Sequence, residues 1–306
     1  MTNSASHRQS RSPMRAMLLT VSALALFGLS SSAPAASGSE QVDLKLVLAT
    51  DVSGSINEEE FDLQRQGTAA AFADPEVVKA IQSGALGRIA VAMFDFSSPE
   101  FAKMVIDWHI VKDKASAQAF SELVSGAPRS PGRRTSVSSA LQLGYTMIEA
   151  TEKDIVATRR VIDVSGDGPN NDGENMREVH DRVIGTGIVV NGLPIMDDNA
   201  NGYFPGLDKY YAACVAGGRA SFVVVAKSFR DFGLAMRHKL ILEISGIDPM
   251  TKFADRMPGE NGLLRQVAAS PEGAPVGAPL PVIRPGQNEF SDHCDIAGGF
   301  GGFNRF

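Results

Sequence analysis

Residues 42–55 read Val-Asp-Leu-Lys-Leu-Val-Leu-Ala-Thr-Asp-Val-Ser-Gly-Ser, and this stretch decides the fold. The run from Val42 to Thr50 is short and mostly apolar, which predicts a strand covered on both faces, as in parallel sheets. It ends at Asp51. Asn57 can then cap a helix, with Glu60 three residues on as the other half of a capping box. Phe61, Thr68, Ala69 and Phe72 supply that helix with an inward stripe, and Asp74-Pro75 ends it.

The pattern repeats outward from this unit. Ile89 to Phe94 and Met104 to Val111 read as strands, the second carrying Trp108 and His109. A helix is predicted from about Lys114 to Val124, and a further one over Ser136 to Ala150, where Val137, Ala140, Leu141, Gly144, Met147 and Ile148 fall at helical spacing. Gly144 marks a close approach to the sheet. Val161 to Val164 is again a strand, and helical spacing returns at Met176, Val179, Val183 and Ile184. Ile188 to Ile195 and Ser221 to Ala226 give two more strands, and Ser228 caps a last helix ending near Ser245. About six strands alternating with about six helices predict an α/β fold, a doubly wound, mostly parallel sheet with helices on both faces. Ligands on such sheets sit at the carboxyl ends of the strands.

Arg8, Arg11 and Arg15 precede an uncharged apolar stretch from Met17 to Leu29 and the small-residue site Ala33-Pro34-Ala35. That order is the pattern of a secretory signal peptide over residues 1–35. The apolar run is about 13 residues against the roughly 20 that cross a bilayer, so an uncleaved anchor is the weaker alternative. No later stretch is long and apolar enough to span a membrane. The expected compartment is periplasmic or extracellular. Residues 42–245 form the expected domain, and residues 246–306, rich in Pro and Gly, read as a tail.

Removing the leader takes the formal charge from −6 to about −9, and only short basic pairs such as Arg133-Arg134 and Arg159-Arg160 remain. Nucleic-acid binding is therefore set aside, because it needs a cationic footprint that releases counterions from phosphates. Cys214 and Cys294 are the two cysteines, and an oxidising compartment favours a disulfide between them over two unrelated thiols. They lack zinc-site spacing, and no His-Glu-x-x-His accompanies them.

The chemistry is concentrated in Asp51-Val52-Ser53-Gly54-Ser55, directly after the first strand. One carboxylate and two hydroxyls spaced by two residues can face a single point on a turning loop, giving hard oxygen ligands for a hard cation. A helix-capping turn is the plain alternative for a lone motif of this kind. At this point the chain resembles the von Willebrand factor A-like family, whose metal-ion-dependent adhesion site joins Asp-x-Ser-x-Ser to a Thr from a second loop and an Asp from a third. Thr135 precedes the helix beginning at Ser136, and Asp167-Gly168 follows the strand Val161 to Val164, in the family's order. The resemblance covers roughly residues 42–245. It implies a site for magnesium or manganese made by Asp51, Ser53, Ser55, Thr135 and Asp167, with the three hydroxyls touching the metal and the two carboxylates acting through water. It also implies a partner protein that presents a carboxylate to the open position of the cation.

Two features depart from the family. Arg133 and Arg134 stand where small residues usually precede the Thr, and they either contact an acidic ligand group through their guanidinium forks or point to solvent. Ser165-Gly166 makes the third turn one residue longer. A second oxygen-rich stretch, Asp197-Asp198-Asn199-Ala200-Asn201-Gly202 with Asp208 at the twelfth place, partly matches a calcium loop, with a plain turn as the alternative. Asp107 and Asp163 lie in strand patterns without a visible partner, and His109, His180 and His238 are scattered. No Gly-x-Ser-x-Gly elbow signals a hydrolase triad, and Phe300, Phe303 and Phe306 punctuate the Gly-rich end. The expectation is a binding module rather than an enzyme. A metal-assisted hydrolase and an envelope protein with a purely stabilising metal are the competing readings.

Overall fold

A computed structural model describes residues 38–130, 132–196, 204–246 and 280–295. The elements in chain order are β1 (Glu40–Asp51), α1 (Glu58–Ala73), α2 (Pro75–Gln82), β2 (Ile89–Phe96), β3 (Ala102–Val111), α3 (Lys114–Ser125), α4 (Val137–Ala150) and β4 (Ile155–Gly166). They continue with α5 (Met176–Ile184), β5 (Val189–Pro194), α6 (Leu207–Tyr210), a π turn (Tyr211–Val215), β6 (Val223–Val224), a 3-10 turn (Phe229–Asp231), α7 (Phe232–Ser245) and β7 (Val282–Ile283).

The sheet has the order β3-β2-β1-β4-β5-β6-β7. β1 lies inside the sheet and runs parallel to β2 and β4, whereas β3 and β7 close the two edges antiparallel. This is the doubly wound α/β architecture that the alternating pattern predicts. From β1 the chain winds first towards β3 and then, beyond β1, towards β7. The reversal falls between β1 and β4, the place where open α/β sheets present their ligand-binding loops at the carboxyl ends of the strands.

Alternation along β1 explains the two layers. Leu44, Leu46 and Leu48 face a core shared with Phe61 and Phe72 of α1, Phe120 of α3 and Phe232 and Leu240 of α7. Val47 and Ala49 face the opposite core, with Leu141 and Ile148 of α4, Val179 of α5 and Tyr210 and Tyr211. Both faces are apolar because both are covered. Lys45, inside this buried run, satisfies its ammonium on Ile148 O at 2.9 Å and Glu152 at 3.4 Å. A Cβ on Gly144 would stand 2.9 Å from Ile162 Cδ1, so α4 sits on β4 at the distance the glycine allows. The capping box of α1 is present, with Glu60 N donating to Asn57 Oδ1 and Asn57 N to Glu60 Oε2.

Several sequence readings change. β4 begins at Ile155, six positions before the predicted strand, because the polar Arg159 and Arg160 interrupt its apolar run. Both arginines instead reach helix ends and loops, Arg159 donating to Glu243 O and Ile244 O. The predicted Ser221–Ala226 strand shrinks to two residues. Ser228 caps no helix: its hydroxyl donates to Asp231 Oδ2 and a 3-10 turn intervenes before α7. Helix α2, α6 and the π turn carry no periodic signal in the sequence, since each is too short for one. In the stretch read as a tail, residues 280–295 contribute β7 and pair with β6. The signal-peptide pattern and Phe300, Phe303 and Phe306 lie outside the described residues. No helix among the described residues is long and apolar enough to cross a membrane.

Candidate functional site

Three loops meet at the reversal of the sheet. The first is the descent from β1 into α1. Asp51 is the last residue of β1, and Ser53 N donates to its Oδ1 at 2.8 Å, a local turn that points the following side chains back over the strand end. Ser53 Oγ lies 3.2 Å from Ser55 Oγ, and Ser55 Oγ donates to Asp167 Oδ1 at 2.8 Å. Asp51, Ser53, Ser55 and Asp167 thus form one chain of contacts spanning two loops.

The second loop leads into α4. Gly132 N donates to Val52 O at 2.8 Å and Gly54 N to Arg133 O at 3.2 Å, which ties it to the first loop. Ser97, just after β2, holds it from the other side: its hydroxyl donates to Arg134 O and accepts from Arg133 N, both at 2.7 Å. A Cβ on Gly132 would lie 1.9 Å from Ser97 Oγ, so only glycine fits. The third loop follows β4. Asn171 exchanges two bonds with Thr135, accepting from its N at 3.0 Å through Oδ1 and donating from its own N to Thr135 O at 2.9 Å. The point where a Cβ on Gly168 would stand is 3.5 Å from Thr135 Oγ1, which turns the threonine hydroxyl towards this loop. Asn170 adds a bond from Ser138 N, at the start of α4, to its Oδ1.

Contacts thus join Asp51, Ser53, Ser55 and Asp167, and Thr135 lies beside Gly168; of the five, Asp51, Ser53, Thr135 and Asp167 are buried. Asp51 is wholly buried, and its Oδ2 has no hydrogen-bond partner among the described residues. Burial pushes the Asp51 carboxyl well above its ordinary range, the charge of Asp167 pushes it further, and the Ser53 hydrogen bonds only partly oppose this. The nearest arginine on α1 offers no relief: Arg65 Nη2 is engaged by both oxygens of Asp95, at 2.7 and 2.6 Å. A buried carboxylate oxygen without a donor is costly, and a bound cation removes that cost. Among the described residues no group of three His, Cys, Asp or Glu is placed to hold a metal. A cation here would depend on hydroxyls, and the donor set, two carboxylates and three hydroxyls, fits a hard ion.

Arg133 and Arg134 are exposed beside this site. Arg134 Nη1 donates to Asn171 O at 3.1 Å, while Arg133 uses only its backbone in these contacts. Cys214 and Cys294 form a disulfide with Cα atoms 5.5 Å apart, joining the π turn to the 280–295 segment. That segment braces the third loop. Asp295 accepts from Met176 N at 2.7 Å and from Asn170 Nδ2 at 3.3 Å, and Tyr210 Oη donates to Cys294 O at 2.7 Å while accepting from Asn170 N at 3.0 Å.

Sequence reasoning missed Ser97, Asn170, Asn171 and Tyr211, which carry no motif of their own; the Asn pair directly after Asp167-Gly168-Pro169 was the one available signal. Asp163, read as lacking a partner, lies fully buried 2.6 Å from Lys239 Nζ of α7. Lys239 also pairs with Glu243, which accepts from Asn191 Nδ2 at 2.9 Å. Of the calcium-loop stretch, residues 197–203 lie outside the described residues, and Asp208 sits in the first turn of α6.

A family model described as a protein of unknown function (DUF1194) matches residues 41–248. A search among curated proteins returns no match. Among solved structures, the chain is similar to proximal thread matrix protein 1 from the mussel byssus, with 15% identity, a TM-score of 0.45, and coverage of 66% of this chain and 46% of the other. One structure of that byssus protein is described with a zinc-occupied MIDAS motif. The pilus adhesin SpaC from Lactobacillus rhamnosus GG shows 16% identity, a TM-score of 0.49, and coverage of 68% and 32%. A von Willebrand factor type A protein from Catenulispora acidiphila shows 14% identity, a TM-score of 0.46, and coverage of 66% and 43%. This chain spans less than half the length of each.

Proposed function

For a chain that belongs to the DUF1194 family of proteins of unknown function, we propose the role of an exported protein-binding module that engages an acidic group on its partner through a divalent cation. Asp51, Ser53, Ser55, Thr135 and Asp167 would hold magnesium or manganese, with a carboxylate of the partner completing the coordination. The single observation that carries this reading is the buried Asp51 Oδ2, without a hydrogen-bond partner among the described residues and set among hydroxyls from converging loops. The five side chains would leave coordination positions of a six-coordinate ion open, and a hard cation prefers an oxygen anion there over a neutral donor. Arg133, exposed on the loop that carries Thr135, would add a directional donor for the same carboxylate.

We extend the proposal to a role without catalysis. The loops already hold each other through backbone bonds such as Gly132 N to Val52 O and Asn171 N to Thr135 O, so the cation is assigned to ligand binding rather than to loop stiffening. Export is supported by the leader pattern of residues 1–35 and by the disulfide, which suits an oxidising compartment.

The test is calorimetric titration of magnesium and manganese into the disulfide-intact protein, followed by capture of partners from envelope extract with magnesium and then with chelator. Wild type should bind the cations, the Asp51→Ala/Ser53→Ala variant should not, and chelator should release captured protein. An unchanged titration in the variant, or capture indifferent to chelator, overturns the reading.

A further inference from the structure

Tyr211 begins the π turn after α6 and is fully buried. Its side chain lies along the sheet in a slot that two glycines keep open. A Cβ on Gly192 of β5 would stand 2.7 Å from Tyr211 Cδ1, and one on Gly166, the last residue of β4, 2.9 Å from Tyr211 Oη. Alanine at either position would collide with the ring or its hydroxyl.

The same point above Gly166 lies 2.9 Å from Asp51 Oδ2. The phenol oxygen and the carboxylate oxygen therefore flank one spot at the carboxyl end of β4, and neither has a hydrogen-bond partner among the described residues. The adjacent tyrosine makes the contrast: Tyr210 Oη is satisfied on both sides, by Cys294 O and Asn170 N. Packing alone would be served at position 211 by phenylalanine, and a buried hydroxyl with no partner weakens a fold. π turns insert one extra residue into a helix and recur at functional sites, where the insertion re-aims a side chain.

Resting on the cation-site reading above, we propose that Tyr211 is a positioning residue of that site, its hydroxyl facing the Asp51 carboxylate across the spot above Gly166 and serving as a donor on that side when a cation is held. A phenol suits this task. It supplies a donor to a carboxylate without cancelling the negative charge that draws in the cation, as a lysine or arginine would. Groups that orient ligands from behind commonly matter to metal affinity almost as much as the ligands themselves.

The experiment is Tyr211→Phe, which removes the oxygen and keeps the ring, read by magnesium and manganese titration calorimetry and by thermal melting in chelator. Affinity is expected to fall about ten-fold, the low end for loss of such a group. The melting temperature in chelator is expected to stay level or rise, since the lost hydroxyl has no hydrogen-bond partner among the described residues. Wild-type affinity in the variant, with Asp51→Ala abolishing binding, overturns the assignment of Tyr211 alone. A lowered melting temperature in chelator gives the hydroxyl a structural role and likewise overturns it. Absence of cation binding by wild type removes the cation-site reading and this inference with it.

Discussion

Ser55 Oγ donates to Asp167 Oδ1 at 2.8 Å, joining the loops after β1 and β4 across 112 positions of chain. The two residues stand on either side of the point where the sheet reverses direction, so this contact bridges the carboxyl ends of β1 and β4. Ser55→Ala should therefore act twice. It should reduce magnesium affinity in calorimetry, and in chelator it should lower stability by about 1.5 to 3 kcal/mol, in line with loss of a hydrogen bond to a buried carboxylate. Unchanged stability with unchanged affinity would remove Ser55 from the site.

Asp163 gives the protein a pH dependence of determinable sign. Its carboxyl is raised from 3.8 to about 7, first by burial and then by the charge of Glu243, with Lys239 opposing. Between those two values the folded state keeps a proton that the unfolded chain has released, so this group's contribution to stability declines as pH rises from about 4 to about 7. Asp163→Asn cannot titrate, and Lys239 retains Glu243 as a partner. Urea melts at pH 5 and pH 7 should show a smaller loss of stability in the variant than in wild type. Equal losses would reject Asp163 as the titrating group.

Lys239 lies between two buried carboxylates, 2.6 Å from Asp163 and paired with Glu243. Lys239→Met leaves both acids without it and should cost about 3 to 5 kcal/mol at neutral pH, the usual penalty for breaking a buried ion pair from one side. Part of that cost should return at low pH, where the acids take up protons. Denaturant unfolding at two pH values measures both effects, and a cost below 1 kcal/mol, on the order of a surface pair, would contradict the burial of the cluster.

The Cys214–Cys294 bridge closes a loop of 80 positions, for which loop entropy gives about 4 to 5 kcal/mol. Its reduction should also loosen the start of α5, since Asp295, next to Cys294, accepts from Met176 N. Hydrogen exchange of residues 170–178 should accelerate in the Cys214→Ser/Cys294→Ser variant more than exchange in β1. Uniform acceleration would deny the bridge its local role.

Partner binding should lose more from Arg133→Ala than from Arg134→Ala, because Arg134 already spends a donor on Asn171 O. A charge-assisted contact contributes about 1.5 to 3 kcal/mol, so Arg133→Ala should weaken a magnesium-dependent complex by roughly ten-fold or more. Surface plasmon resonance against a captured partner measures this, and equal effects of the two variants would argue against directional recognition by Arg133.

The local signals were legible in the chain itself. The apolar run ending at Asp51, the Asn57–Glu60 capping box, the helical stripe of α4 and the Asp-x-Ser-x-Ser spacing depend on neighbours a few residues apart, and propensity and periodicity report such relations directly. The alternation of these units was enough for the doubly wound sheet. Tertiary structure alone decided the rest. Asn170 and Asn171 became braces of Thr135 and α4, Tyr211 was carried to Asp51 through a slot left by Gly166 and Gly192, Lys239 met Asp163, and residues 282–283 became the edge strand β7. Each of these is a meeting of groups from distant parts of the chain whose partner, burial and orientation depend on how the elements stack. A residue's type says which bonds it can make, and the packing of the sheet and its helices decides which of them it does make.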